Sequence, residues 1–250
     1  MHEYFGIHFE FSKSEVESEI TELVRNDSKV YICVVDSNVL AMSYRNEQYK
    51  AIVNSSVMNI CDGSSIAFLA GLIHRNELEA FPGPAVFELY IENPIYNQLL
   101  VGNRPDICDK VINKIEAKGI KSNHVDWLDL PFCDVDSFEY VKIAERINEK
   151  NPDIIWVSLG APKQEIFMSR LLPYLNRGVM FGIGAAVNFY VGHLNIPKIQ
   201  MGALSFVWVS RVLHEPRKQI KRLMQLITVY PVLIYHEVQA RKEPTLHRGG

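Results

Sequence analysis

The 250-residue chain has only four cysteines, Cys33, Cys61, Cys108 and Cys133, and no two of them are in CxxC spacing. That scarcity disfavours a disulfide framework or a zinc site. Cys33 and Cys61 lie inside apolar runs, where free cysteine behaves as a small buried hydrophobe. No segment reaches the roughly 20 apolar residues that cross a bilayer. The nearest, Leu226 to Tyr235, is too short and holds Pro231. The first residues, Met1-His2-Glu3-Tyr4-Phe5, carry no basic stretch followed by a long apolar run, so a secretory signal is not expected. A Walker A sequence, internal repeats and low-complexity runs are also missing. The net charge of −3 implies no general attraction to nucleic acid, and none is expected as a partner. The eight histidines are scattered without metal-ligand spacing, so no metal site is expected.

Short apolar runs alternate with longer amphipathic ones through most of the chain. Strands are expected at Val30 to Val35, Val57 to Cys61, Gln98 to Gly102, His124 to Leu128, Asp153 to Leu159 and Val179 to Ile183. Helices are expected at Val39 to Asn54, Ser65 to His74, Pro105 to Lys118, Ser137 to Glu149 and Pro162 to Leu175. Glu79 to Pro94 reads as an irregular loop or short helix. Such alternation predicts an α/β fold, a Rossmann-like, mainly parallel sheet flanked by helices. From about Pro197 a helical pattern takes over, which divides the chain into an α/β domain over 1–196 and a basic helical appendage over 197–250.

In open parallel sheets ligands bind at the carboxyl ends of the strands. Five polar groups follow strands here: Asp36-Ser37-Asn38, Asp62-Gly63-Ser64-Ser65, Gly102-Asn103-Arg104, Gly160 to Gln164, and Gly182-Ile183-Gly184. Each has a plain reading. Asp62 can cap the helix that begins at Ser64 or Ser65; Asp36 and Asn38 can be cap or turn residues; the glycines suit tight turns. Together, two carboxylates and three glycine turns fit a phosphorylated substrate and an acid–base step. Pro162 suits a first helical turn, which puts Lys163, Gln164 and Glu165 beside free N–H groups that favour an anion.

Two motifs compete. Gly182-Ile183-Gly184-Ala185-Ala186-Val187 imitates a dinucleotide fingerprint but ends in valine and follows the last strand. Asp134-Val135-Asp136 has the DxD form used by metal-dependent sugar transferases, yet Asp136 with Glu139 reads better as a capping box.

Asp36-Ser37-Asn38, Cys61-Asp62-Gly63, Leu159-Gly160-Ala161-Pro162-Lys163-Gln164-Glu165, Gly182-Ile183-Gly184 and Trp208-Val209-Ser210-Arg211 with His214-Glu215-Pro216-Arg217 resemble the ordered motifs of the WecG/TagA/CpsF glycosyltransferases. The resemblance runs from about Val30 to Arg222. It implies an inverting, metal-independent transferase that needs no cofactor. The implied reaction moves a hexose or N-acetylhexosamine from a UDP-sugar to a lipid-linked (polyprenyl diphosphate) saccharide, in cell-surface polysaccharide synthesis. The implied place is the cytoplasmic face of the cell membrane, peripherally attached; a homo-oligomer is compatible with it. The aspartate matching Asp62 is the family's favoured base. Asn38 and Gln164 would hold sugar or diphosphate, with Gly102, Asn103, Gly160, Lys163, Gly182 and Gly184 around them, and Arg211, Arg217 and Arg222 would approach the phosphates.

The chain departs from the family in three places. Asp36 stands where Thr-x-Asn is usual, which makes it a second candidate base. Glu79 to Ala85 keeps a glycine but lacks the family's charges, and Ala185-Ala186-Val187-Asn188 replaces Gly-Ala-Phe-Asp. A non-catalytic nucleotide-sugar or lipid-binding partner in an assembly complex is the alternative.

From Arg211 to Gly250 there are eight Lys/Arg against three Glu. At about 100° per residue, Arg217, Lys218, Lys221 and Arg222 fall on one side of a helix and Ile220, Leu223, Met224 and Ile227 on the other. That pattern suits an anionic membrane surface, or a helix packed on the domain with its basic side in water.

Overall fold

The computed structural model describes residues 1–192, 200–201, 204–205 and 216–242, with side chains over 1–192 and 227–241. A hairpin of β1 (His2–Tyr4) and β2 (Ile7–Phe9) opens the chain, followed by α1 (Lys13–Arg25). Then come β3 (Lys29–Val35), α2 (Ser37–Arg45), α3 (Glu47–Asn54), β4 (Met58–Cys61), α4 (Ser64–His74), α5 (Gly83–Ile91) and β5 (Gln98–Val101). They are followed by α6 (Pro105–Ala117), β6 (Val125–Leu128), α7 (Tyr140–Lys150), β7 (Ile154–Val157), α8 (Lys163–Leu171), β8 (Gly178–Gly182) and α9 (Ala186–Tyr190). The short pair β9 (Gln200–Met201) and β10 (Leu204–Ser205) precedes α10 (Pro216–Lys242).

Six strands form one wholly parallel sheet in the order β4-β3-β8-β7-β5-β6. All six expected strands are present and the fold is the expected Rossmann-like α/β class. Alternate residues serve opposite faces. Tyr31, Cys33, Val35, Ile155 and Val157 join α2, α3, α4, α7 and α8, whereas Ile32, Ile154, Trp156 and Phe181 join α1, α5, α6 and α9. Both faces are therefore covered, and β7 is apolar at every position.

The helix expected over Val39 to Asn54 is two helices. Asn46 leaves helical geometry at φ −140°, ψ 104°, and its Oδ1 accepts the Tyr49 N–H at 3.0 Å, so a polar cap restarts the chain in mid-pattern. The Asp136–Glu139 capping box is not formed. Asp136 instead pairs with Arg170 at 2.5 Å, and Glu139 with Lys142 at 2.6 Å. Within Glu79 to Pro94 the short-helix alternative holds, as α5. The hairpin and α1 had no counterpart among the expected elements.

The C-terminal helix α10 lies on the domain. Val229 and Leu233 are buried in the α2/α4 face of the core. Thr228 Oγ1 is 2.6 Å from an Arg45 guanidinium nitrogen, and Arg241 bonds to the Ile73 carbonyl. Glu237 accepts the Phe5 N–H at 2.6 Å and meets His74 Nε2 at 2.7 Å. Tyr230 sits by Ser37 and Ser65, at the starts of α2 and α4, and burial pushes its phenol up to about 12. Since Tyr230 meets the start of α4 and Glu237 its end, the two helices run the same way. Among the described residues no helix is long and apolar enough to cross a membrane.

Candidate functional site

The register brings the carboxyl ends of all six strands to one edge. Val35 pairs with Cys61, Cys33 and Val157 with Gly182, and Val101 with Val157 and Leu128. The polar turns after these strands therefore share one rim. Within it β5 and β7 are neighbours whose chains leave in opposite directions, β7 through α8 to β8 and β5 through α6 to β6. Such a switch point opens a crevice between the outgoing helices.

Gly102 and Asn103 stand on the β5 side of that crevice. Gly102 has φ +83°, and a Cβ there would lie 2.7 Å from Leu159 Cδ2, so the β5 and β7 turns touch only because 102 is glycine. Asn103 is 8% exposed, and its Nδ2 is buried without a hydrogen-bond partner. Leaving a buried donor unmet costs about 1–3 kcal/mol. A ligand acceptor would satisfy it.

On the β7 side the chain turns at Gly160, φ +74°, and passes a cis Ala161–Pro162 bond into α8. Gln164 is buried and spans the turn: its Oε1 accepts the Gly160 N–H at 3.1 Å and its Nε2 donates to Glu165 Oε1 at 2.9 Å. A Cβ at Gly182 would lie 3.1 Å from Gln164 Nε2, and one at Gly184 would lie 3.5 Å from Oε1. Ser158 Oγ donates to the Gly184 carbonyl at 2.5 Å, which ties the β7 turn to the β8 turn. Gln164 is thus a buried post against which three glycine positions close, and its amide is engaged at both ends by protein. Lys163 turns toward the loop after β6, donating to the Cys133 carbonyl with its Nζ 4.9 Å from the Phe138 ring centre. In the same loop Phe132 is fully exposed, 5.8 Å from that amine.

Glu165 has no exposed surface. Its Oε2 accepts the Tyr49 hydroxyl at 3.0 Å. Burial pushes its carboxyl up to about 7, opposed by the bonds from Gln164 and Tyr49 and reinforced by the nearby Asp36. Tyr49 is raised in turn, first by burial and then by Glu165.

The other end of the rim holds the carboxylates. Asp36 does cap its helix: Oδ1 accepts the N–H groups of Asn38 and Val39, each at 2.9 Å. Asn38 lies in the first turn of α2, with Nδ2 3.9 Å from Met42 Sδ. Asp62 does not cap α4, whose N-cap is Gly63 with no side-chain bond. After α4 the chain returns over β4, with the Phe81 N–H on the Cys61 carbonyl at 2.8 Å, and Asp62 Oδ1 accepts the Gly83 N–H at 2.6 Å. Asp62 Oδ1 is therefore bonded to the start of α5. Arg211 lies outside the described residues. Arg217 and Arg222 belong to the part of α10 that precedes Tyr230, and their side chains lie outside the described ones.

Gly83, Ser158 and Tyr49 were not among the candidate site residues, and Glu165 entered only as the first-turn neighbour of Lys163 and Gln164. Gly83 had a signal, as the glycine kept in an otherwise altered segment. Tyr49 had none, since its partner is 116 residues away.

Fold and rim together define a Rossmann-like protein with a strand-order switch point between β5 and β7 and carboxylates farther along the same edge. Residues 3–244 match the model of the glycosyl transferase WecG/TagA/CpsF family, and the chain belongs to that family. It is similar to the N-acetylglucosaminyldiphosphoundecaprenol N-acetyl-beta-D-mannosaminyltransferase of Bacillus subtilis (strain 168), with 22% identity over 91% of this chain and 90% of that protein. It is likewise similar to the protein of the same description from Bacillus spizizenii, with 20% identity over 91% of this chain and 90% of the relative.

Proposed function

We propose that the chain moves an N-acetylhexosamine, N-acetylmannosamine by analogy with its relatives, from a UDP-sugar to a polyprenyl-diphosphate-linked saccharide. The reaction is inverting and metal-independent, and it serves cell-surface polysaccharide synthesis. The observation that carries this reading is the separation of two features on one rim. Asn103, with its unmet amide donor, stands at the β5/β7 switch point, and Asp62 stands at the end of β4. β5 and β4 lie four strands apart in the sheet, about 19 Å at ~4.8 Å per strand. That span suits an extended nucleotide diphosphate sugar better than a lone monosaccharide.

The nucleotide occupies the β5/β7 end, where the exposed Phe132 ring offers a flat face and Asn103 a donor. The diphosphate lies over the turns at Gly160 and Gly184 and the start of α8, where N–H groups and the helix dipole favour an anion. Because the amide of Gln164 is held by Gly160 and Glu165, its part is to shape that turn. The sugar reaches toward Asn38 and Asp62. Asp62 takes the proton of the acceptor hydroxyl as that oxygen bonds to the anomeric carbon. The bond from the anomeric carbon to the diphosphate breaks, and UDP leaves with the electron pair. Asp36, whose Oδ1 accepts the Asn38 and Val39 N–H groups at the start of α2, is the second candidate base.

The acceptor stays in the bilayer, so the enzyme meets it from the cytoplasmic face. Residues 197–250 act as an appendage to the 1–196 unit. The basic positions 217, 218, 221 and 222 of α10 attract anionic lipid, and Arg211, Arg217 and Arg222 approach the phosphates. The deciding experiment measures UDP release and UDP binding by Asp62→Asn and Asp36→Asn. Asp62→Asn should lose about 10²–10⁴ of turnover while still binding UDP. Full turnover in Asp62→Asn would remove it as the base. Removing residues after Pro197 should abolish binding to anionic vesicles, and unchanged binding would refute the membrane role.

A further inference from the structure

We propose that Glu165 is a positioning residue of the donor site: it holds Gln164 and, through it, the Gly160 turn, and does so as the neutral acid once the diphosphate is bound. The inference rests on the donor site lying at that turn.

The geometry is a buried chain of three hydrogen bonds. The Tyr49 hydroxyl donates to Glu165 Oε2 at 3.0 Å, Gln164 Nε2 donates to Glu165 Oε1 at 2.9 Å, and the Gly160 N–H donates to Gln164 Oε1 at 3.1 Å. Glu165 and the Gly160 N–H together set which way the Gln164 amide points. With an acceptor at Oε1, the amide nitrogen faces Glu165 and the amide oxygen faces Gly160. Without that acceptor the amide nitrogen loses its partner, and only the Gly160 N–H opposes the flipped orientation, which would set an N–H against it.

The chain survives protonation of Glu165. A phenolic hydroxyl can donate or accept, so Tyr49 can receive the carboxylic O–H, while the carbonyl oxygen still accepts from Gln164. The surroundings favour that form. The titratable groups facing Glu165 are Tyr49 from α3, Cys33 from β3 and Asp36 from the start of α2. None is a cation, and among the described residues no Lys or Arg pairs with it. Burial has already raised the carboxyl to about 7. An arriving diphosphate adds negative charge one residue away and raises it further. Binding should therefore draw a proton onto Glu165, removing a charge that would repel the ligand.

The test is calorimetric titration of the full chain with UDP at pH 7.5, in two buffers of different ionisation enthalpy. Parent, Glu165→Gln, Glu165→Leu and Tyr49→Phe are compared, and the Gly160 amide resonance is followed. The parent should take up part of a proton per UDP bound, and Glu165→Gln should bind UDP as well without that uptake. Glu165→Leu should shift the Gly160 resonance and weaken UDP about tenfold, the equivalent of about 1.4 kcal/mol, and Tyr49→Phe should do less of both. If Glu165→Leu does not fold, the Gln and Phe variants still decide the matter. No UDP binding by the parent overturns the donor-site reading. Equal affinity and equal proton uptake across the folded variants overturn this inference alone.

Discussion

The Asp62 carboxylate and the Gly83 backbone N–H are 2.6 Å apart, which fixes the candidate base to the first turn of α5. The approach depends on position 83 having no side chain: a Cβ there would lie 3.2 Å from Val34 Cγ1 and 3.7 Å from Asp62 Oδ1. Alanine asks Val34 to shift by a few tenths of an ångström, and valine asks more than the site has. Gly83→Val should therefore displace Asp62 and reduce turnover about 10²-fold, with Gly83→Ala in between and still folded. Steady-state UDP release checks this. Wild-type turnover in the valine variant would mean that the Gly83 contact does not place the base.

Asn103 offers a prediction in which stability and binding move in opposite directions. Replacing it with leucine removes a buried donor that has no partner, so the ligand-free protein should be unchanged or more stable by about 1 kcal/mol. UDP should bind about tenfold more weakly, since its acceptor loses that donor. Thermal unfolding with and without UDP reads both effects. A ligand at 100 times its Kd adds about 2.7 kcal/mol, and the variant should lose part of that increment at the same UDP concentration. A variant that loses stability without losing UDP affinity would assign Asn103 to the scaffold.

The strands were legible because most are short, largely apolar runs ended by a polar or glycine turn, as central parallel strands buried on both faces must be; the edge strand β6, with Asp126 exposed, is the least apolar. Local patterns stopped short where a distant partner decides the outcome. The apolar period from Val39 to Asn54 continues through Asn46, so the break there depends on the side chain turning back to cap Tyr49. Asp62 followed by Gly63 and two serines reads as a cap, yet the returning chain at Phe81 to Gly83 claims its carboxylate. Asp36 in the similar sequence setting does cap. Gln164 stood out in the sequence by its place after β7; its buried engagement with Glu165 did not, because Tyr49, which completes that network, comes from another helix.

Glu165 should also set a pH dependence of stability. Its folded-state carboxyl titrates at about 7 against an ordinary 4.5, so between those values the folded protein keeps a proton that the unfolded chain has released. Stability contributed by this group is therefore full below about 4.5, falls as pH rises through about 7, and is then lost. The loss is on the order of 3 kcal/mol. Glu165→Gln should flatten the fall and make the protein more stable than its parent at pH 8. Denaturant midpoints from pH 5 to 8 check this, and parallel curves for the two proteins would contradict it.

Glu237 joins three elements: its own helix α10, the β1–β2 turn through the Phe5 N–H at 2.6 Å, and the end of α4 through His74 at 2.7 Å. It is 8% exposed, so Glu237→Ala leaves a buried N–H unmet as well as removing the contact to His74. The cost should be about 1–3 kcal/mol. Val229 and Leu233 still bury their side chains in the variant, so the loss should fall on the last turns of α10 rather than on the sheet. Hydrogen exchange should therefore quicken from about Leu233 to Arg241 and at Phe5 while β3 and β7 stay protected. Glu237→Gln, which can still accept the Phe5 N–H, should show a smaller change. If exchange quickened equally across β3, β7 and α10, the helix would be part of the same cooperative unit as the sheet, and its separate docking through Glu237 would be disproved.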